Sequence, residues 1–110
     1  MTGIKVYVAG PYTQGDVVQN IKAAIDAGEA LAGLGFVPFI PHLTAFWHFQ
    51  HAHCYGFWLD YTSEWLLACD ALLRLPGPSN GADSERRLAL TVGIPVYYTI
   101  EALRKAYEHE

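Results

Sequence analysis

The stretch Pro76–Ala89, P-G-P-S-N-G-A-D-S-E-R-R-L-A, gathers the residue types best suited to chemistry in this chain. Ser79, Asn80 and Gly81 form a polar turn, and Glu85 follows one helical turn later. An apolar run, Ala71–Leu75, precedes the turn, and an apolar helical pattern follows it and stops at Gly93. Strand, turn, helix is the place where open α/β sheets bind ligands, outside the carboxyl ends of the strands. Free N–H groups and the positive end of the helix dipole favour an anion there. One element can thus offer an anion cradle and a carboxylate to one ligand. The plainer reading of the same residues is a capped helix with a solvated Glu.

The elements that must position this turn follow from patterning. Ile4–Ala9 is rich in β-branched residues and reads as a buried strand ended by Gly10-Pro11. Gly15 to Leu34 reads as a helix, with Val18, Ile21, Ile25, Ala27, Ala30, Leu31 and Leu34 on its apolar stripe. Phe36–Ile40 is a second strand, at a sheet edge because Pro38 cannot donate to a ladder. Pro41 to Phe57 has no clean period and reads as a lid-like loop with short helical turns. A helix is expected from Trp58 to Ala68 with Trp65 and Leu66 inward, then a strand over Asp70–Leu75. Ile94–Tyr98 is a fourth strand, and Thr99 caps a last helix from Ile100 to Glu108. Alternating strands and helices predict one α/β domain over residues 1–110. Its expected form is a flavodoxin-like doubly wound parallel sheet of four or five strands in the order 2-1-3-4. The loops Gly10–Gly15 and Pro76–Gly81 then flank one crevice.

The bulk numbers bound the function. The chain has 110 residues, 52% of them hydrophobic, enough for a real core. A net charge of −4 gives no electrostatic footprint for a nucleic-acid polymer. Cys54 and Cys69 make no disulfide framework, and no stretch reaches the ~18 apolar residues of a membrane span. The expected compartment is the cytoplasm, with no membrane partner.

Taken together, four stretches resemble the nucleoside 2-deoxyribosyltransferase-like superfamily: Val6–Tyr12 (V-Y-V-A-G-P-Y), Glu64–Leu75 (E-W-L-L-A-C-D-A-L-L-R-L), Ser79–Glu85 (S-N-G-A-D-S-E) and Gly93–Val96 (G-I-P-V). That superfamily holds nucleoside deoxyribosyltransferases, nucleoside 5′-monophosphate N-glycosidases and a small, poorly characterised branch, which this chain resembles most. The resemblance implies cleavage of a base–sugar bond by a carboxylate that attacks the anomeric carbon, with water or a second base resolving the glycosyl-enzyme. It makes Glu85 the nucleophile, and the helix dipole is expected to keep that carboxylate ionised. It makes Tyr7 the tyrosine that hydrogen-bonds the nucleophile; a core aromatic is the plainer reading. It places Gly10, Pro11, Tyr12, Ser79, Asn80 and Gly81 around the substrate. Ser79 resembles the residue with which nucleotide N-glycosidases contact phosphate, where the transferases carry Asp.

One position departs from the pattern. The superfamily usually has a catalytic Asp eight residues before the Asp that opens the third strand; here that position, counted from Asp70, is Thr62. Asp60 either substitutes as the acid or merely caps the helix. Thr62 then becomes a substrate-side contact. Phe46, Trp47 and His48 are expected to wall the nucleobase, with aromatic faces stacking and His reading base edges. His42, His48, His51, His53 and Cys54 do not complete a four-ligand zinc set, so neither metal nor cofactor is expected. The favoured activity is hydrolysis of a (deoxy)nucleoside 5′-monophosphate to free base and sugar phosphate. A deoxyribosyltransferase and a nucleotide-binding module without turnover are the alternatives. Family resemblance and the aromatic surplus lead to an expected homodimer or larger homo-oligomer.

Overall fold

The computed structural model describes residues 3–108. Four parallel strands, β1 (Lys5–Ala9), β2 (Val37–Phe39), β3 (Ala71–Arg74) and β4 (Val96–Tyr97), form a sheet in the order β2-β1-β3-β4. The five helices are α1 (Val17–Gly33), α2 (Thr44–Gln50), α3 (Tyr55–Leu67), α4 (Asn80–Val92) and α5 (Ile100–Ala106). This is the doubly wound, flavodoxin-like order expected from the sequence, with four strands among the described residues. Pro38 sits on edge strand β2, where a missing N–H costs the sheet least.

The period-2 alternation of β1 and β3 sorts the core into two layers. Val6, Val8, Ala71 and Leu73 face α1 and α5 and pack with Leu31, Phe36 and Leu103. Tyr7, Ala9 and Leu72 face the other way, onto Leu66, Ala82 and Ala89 of α3 and α4. Each fully buried Leu contributes roughly 1.5–3 kcal/mol of burial.

Helix α1 differs from its expected stripe. Its buried residues are Ala24, Ala27, Gly28 and Leu31, whereas Val18 is 72% exposed and Ile25 and Leu34 face solvent in part. At Gly28 the missing side chain makes room for the Ile40 side chain: a Cβ there would lie 2.3 Å from Ile40 Cδ1. Asp16 caps α1 by accepting from the Gln19 N–H at 3.0 Å, so the helix starts at Val17 rather than Gly15.

The segment expected to be a lid-like loop is mostly helical. A single 3-10 turn at Pro41–Leu43 leads into α2, and α3 begins at Tyr55 instead of Trp58. Leu66 is fully buried as expected, but Trp65 is 46% exposed. Its indole lies flat on Phe39, ring centroids 5.4 Å apart, and covers the sheet edge rather than entering the core. No helix among the described residues is long and apolar enough to cross a membrane.

Candidate functional site

The turns after β1 and β3 are drawn together by two glycines. A Cβ on Gly10 would stand 3.0 Å from Leu75 Cδ1. Gly77 has φ +110°, in the region that favours glycine, and a Cβ there would meet Pro11 Cγ at 3.0 Å. Gln14 then spans the gap, its Oε1 accepting from the Asn80 N–H at 2.7 Å. The crevice at the sheet's reversal point is therefore tied across by a side chain.

Arg74, the last residue of β3, shapes the second turn. Its guanidinium donates to the carbonyls of Leu75 and Gly77 and to Asp83 Oδ1, the last at 3.0 Å. This buried cation satisfies carbonyls that the tight turn leaves without ladder partners. Its hydrogen bond and charge hold the Asp83 carboxyl below its usual range. Ser79 caps α4, its Oγ accepting from the Ala82 N–H at 3.0 Å, and is itself buried. Accepting leaves the hydroxyl proton free to donate.

Helical spacing then aims Glu85. Ala82 and Ala89 are buried against the sheet, and Glu85, three residues after Ala82, shares their side of α4. Small neighbours let its carboxylate reach the strand below, where the Tyr7 phenol donates a hydrogen bond to Glu85 Oε2. Burial raises the Glu85 carboxyl to about 7; the Tyr7 hydrogen bond and the Arg74 charge oppose that rise. The expectation of a carboxylate kept ionised by the helix dipole is thereby corrected, because desolvation outweighs the favourable contacts. Burial first, then the neighbouring Glu85 charge, lifts the Tyr7 phenol far above its ordinary range, so it remains a donor.

These residues open into a cavity of about 680 Å³, a size suited to a small organic ligand. One wall comes from the two turns: Gly10, Tyr12, Thr13, Gln14, Ser79, Asn80 and Gly81. The rest of the lining comes from the 3-10 turn, α2 and α3, including His42, His48, Tyr55, Trp58 and Thr62. Ala82 and Glu85 of α4 complete the lining, and Glu85 is the one carboxylate among the described residues lining the cavity.

The sequence-predicted residues divide accordingly. Tyr7 is fully buried and reaches the site through its phenol. Gly10, Tyr12, His48, Thr62, Ser79, Asn80, Gly81 and Glu85 meet at the cavity. Pro11 contributes its carbonyl, 2.9 Å from His42 Nε2, and does not line the cavity. Asp60 is exposed and outside the lining. Two residues along a helix turn a side chain by about 200°, so α3 aims Thr62 inward and Asp60 outward. Thr62 is buried, donates to the Trp58 carbonyl at 2.8 Å and lies beside the Tyr7 phenol. Phe46 is 63% exposed, and Trp47 lines a separate shallow groove with Phe39 and Tyr61. Neither walls the cavity, because α2 is a true helix that presents Ala45 and His48 to it instead.

Gln14 and Arg74 are not singled out in the sequence, and His42 is weighed there only as a metal ligand. A charged residue ending an apolar strand signals a buried, paired cation, and that cue was available at Arg74. His42 is buried; desolvation lowers its pKa, and hydrogen bonding to the Pro11 and Gly10 backbone opposes this. Nothing in the local sequence marks Gln14, whose partner lies 66 residues away.

The fold is shared with a solved 2-deoxyribosyltransferase. The chain is similar to the solved 2-deoxyribosyltransferase from the psychrotolerant bacterium Bacillus psychrosaccharolyticus, with a TM-score of 0.65 and 20% identity over 84% of this chain and 69% of that one. The chain itself belongs to the family described as a domain of unknown function, DUF4406, whose model matches residues 4–98. No curated protein matches it.

Proposed function

We propose that this chain hydrolyses the N-glycosidic bond of a (deoxy)nucleoside 5′-monophosphate, with Glu85 as the nucleophile. The observation that carries the reading is the Tyr7–Glu85 hydrogen bond beside a cavity that Glu85 and the capped turn of α4 help to line. The Glu85 carboxylate forms a bond to C1′ while the C1′–N bond breaks and its electron pair leaves with the base, which takes up a proton. Water then attacks C1′ of the glycosyl ester, releasing sugar 5-phosphate and the free carboxylate. Tyr7 orients the carboxylate oxygen that does not attack and steadies its charge. The Ser79 hydroxyl and the N–H groups of the α4 terminus suit the phosphate, the dipole contributing ~0.3–1 kcal/mol. The Arg74–Asp83 pair removes much of the repulsion that Asp83 would otherwise exert on that anion.

A deoxyribosyltransferase is the second reading, favoured by the likeness to the Bacillus psychrosaccharolyticus protein. A binding module without turnover is the third, favoured by Thr62 at the position of the expected acid. We read the chain as one domain acting as a homo-oligomer in the cytoplasm, without metal, cofactor or nucleic-acid polymer. Incubation with the common nucleosides and their 5′-monophosphates, followed by chromatography, tests the reaction. Free base from a monophosphate alone supports hydrolysis; base exchange only on adding a second base supports the transferase. Bound nucleotide without released base leaves the binding module. Light scattering on the purified protein checks the oligomer, and a monomer removes it.

A further inference from the structure

On the wall of the cavity built by α2 and α3, His48 has only one of its two ring nitrogens to offer. Its Nδ1 accepts from the Trp58 indole N–H at 2.8 Å and faces the His53 backbone N–H at 3.3 Å. A ring nitrogen that accepts from two N–H groups carries no proton of its own, so the proton of the neutral ring is on Nε2. The ring is also wedged: the Trp58 indole crosses it edge to face, centroids 5.8 Å apart. With Nδ1 engaged, the ring nitrogen left for a ligand in the cavity that His48 lines is Nε2, a donor and not an acceptor. The same wall carries Tyr55, Trp58 and Leu59, whose faces suit a planar ring, beside the polar side chains of His42, His53 and Thr62. The Ser79 hydroxyl and the N–H groups that suit phosphate come from a different element, the turn that caps α4.

We propose that His48 sets base specificity: its Nε2–H, locked in that tautomer by Trp58, donates to an oxo group of the nucleobase and disfavours bases carrying an amino group there. The inference rests on the nucleotide reading above and narrows its substrate class to oxo bases such as uracil or hypoxanthine. An oxo oxygen accepts the Nε2–H bond. An amino group brings donor against donor and leaves both unpaired in a partly desolvated cavity, which costs more than a missing contact.

The test measures the tautomer and the binding preference rather than turnover. Nitrogen-15 NMR of the imidazoles, assigned with His48→Gln, reads the tautomer. Calorimetry with uridine against cytidine 5′-monophosphate, and inosine against adenosine 5′-monophosphate, reads the preference in Glu85→Gln protein, where the nucleophile is absent. We expect the Nε2–H tautomer and at least ~10-fold tighter binding of the oxo member of at least one pair. Trp58→Phe keeps the His48 ring but removes the indole N–H. It leaves only the longer His53 N–H contact on Nδ1, so it should loosen the tautomer and reduce the ratio, whereas His48→Ala should bring the ratio near unity. His48→Gln can turn either its N–H or its carbonyl oxygen to the base, so it should restore binding of the amino members and lower the ratio. A His48 protonated on Nδ1, amino members bound equally or better, or a ratio indifferent to His48→Ala overturns the proposal. Oxo preference here, together with no base release by the wild-type protein in the substrate screen, supports it while defeating the hydrolase reading. Failure of every monophosphate to bind defeats both.

Discussion

The Tyr7 phenol donates a hydrogen bond to the Glu85 carboxylate across 78 residues of chain, joining the centre of β1 to the inner face of α4. Period-2 alternation turns Tyr7 away from Val6 and Val8, and helical spacing from Ala82 turns Glu85 toward it. The pair is buried enough that the carboxyl is raised to about 7 rather than lowered. Its pH behaviour follows from that.

Stability should fall with rising pH because of Glu85. Its folded pKa of about 7 lies above the ordinary 4.5, so the folded state holds this proton more tightly than the unfolded chain does. The associated stability is fully present below pH ~4.5 and is lost as pH rises through ~7. Glu85→Gln, which keeps an acceptor for Tyr7 but cannot ionise, should be the more stable protein at pH 8.5, by up to about 3 kcal/mol. Urea unfolding at pH 4 and pH 8.5 measures the difference. A gap that does not widen with pH contradicts the buried-carboxylate account.

Base release should rise with pH through the same range, since only ionised Glu85 attacks. Tyr7→Phe removes the hydrogen bond that opposes the rise in the Glu85 pKa. The acidic limb of kcat/KM should then move to higher pH, with activity at pH 7 down by at least ~10-fold and partly recovered at pH 8.5. A loss equal at every pH would assign Tyr7 a purely steric part.

The two positions on α3 should respond in opposite ways. Thr62 lines the cavity beside Tyr7, whereas Asp60 is exposed outside it. Thr62→Asp restores a carboxyl group where a departing base can take a proton, a contribution typically of ~10²–10⁴-fold. Turnover should increase in Thr62→Asp and stay within about twofold of wild type in Asp60→Asn. Severe loss in Asp60→Asn would return Asp60 to the mechanism and require α3 to be repositioned in solution.

Ser79→Ala should separate phosphate recognition from helix capping. Loss of the bond to the Ala82 N–H should cost ~1 kcal/mol of stability whatever the function. If the hydroxyl also donates to phosphate, the preference for a monophosphate over its nucleoside should shrink by ~10-fold. Paired kinetics on both substrates and a denaturant titration check the two effects separately. An unchanged preference would leave Ser79 as a cap alone and bring the transferase reading forward.

Much of this architecture was legible in the chain because its signals are local. β-Branched runs, the Ser79 and Thr99 caps and the Gly93 stop mark elements by short-range sterics and hydrogen bonding, and parallel connection rules then order the strands as 2-1-3-4. The pairing of Tyr7 with Glu85 entered through resemblance and acquired its physical reason, two periodicities meeting at one point, only in the folded molecule. Tertiary packing alone decided the rest. The aromatic-rich stretch has no dominant period, so the start of α3 and the phase of α2 could not be read; those choices send Asp60, Phe46 and Trp47 outward and Thr62 and His48 inward. The Glu85 pKa, the Gln14 span and the His48 tautomer depend on dielectric and on partners distant in the chain or across helix boundaries, and such contacts exist only after the core has formed.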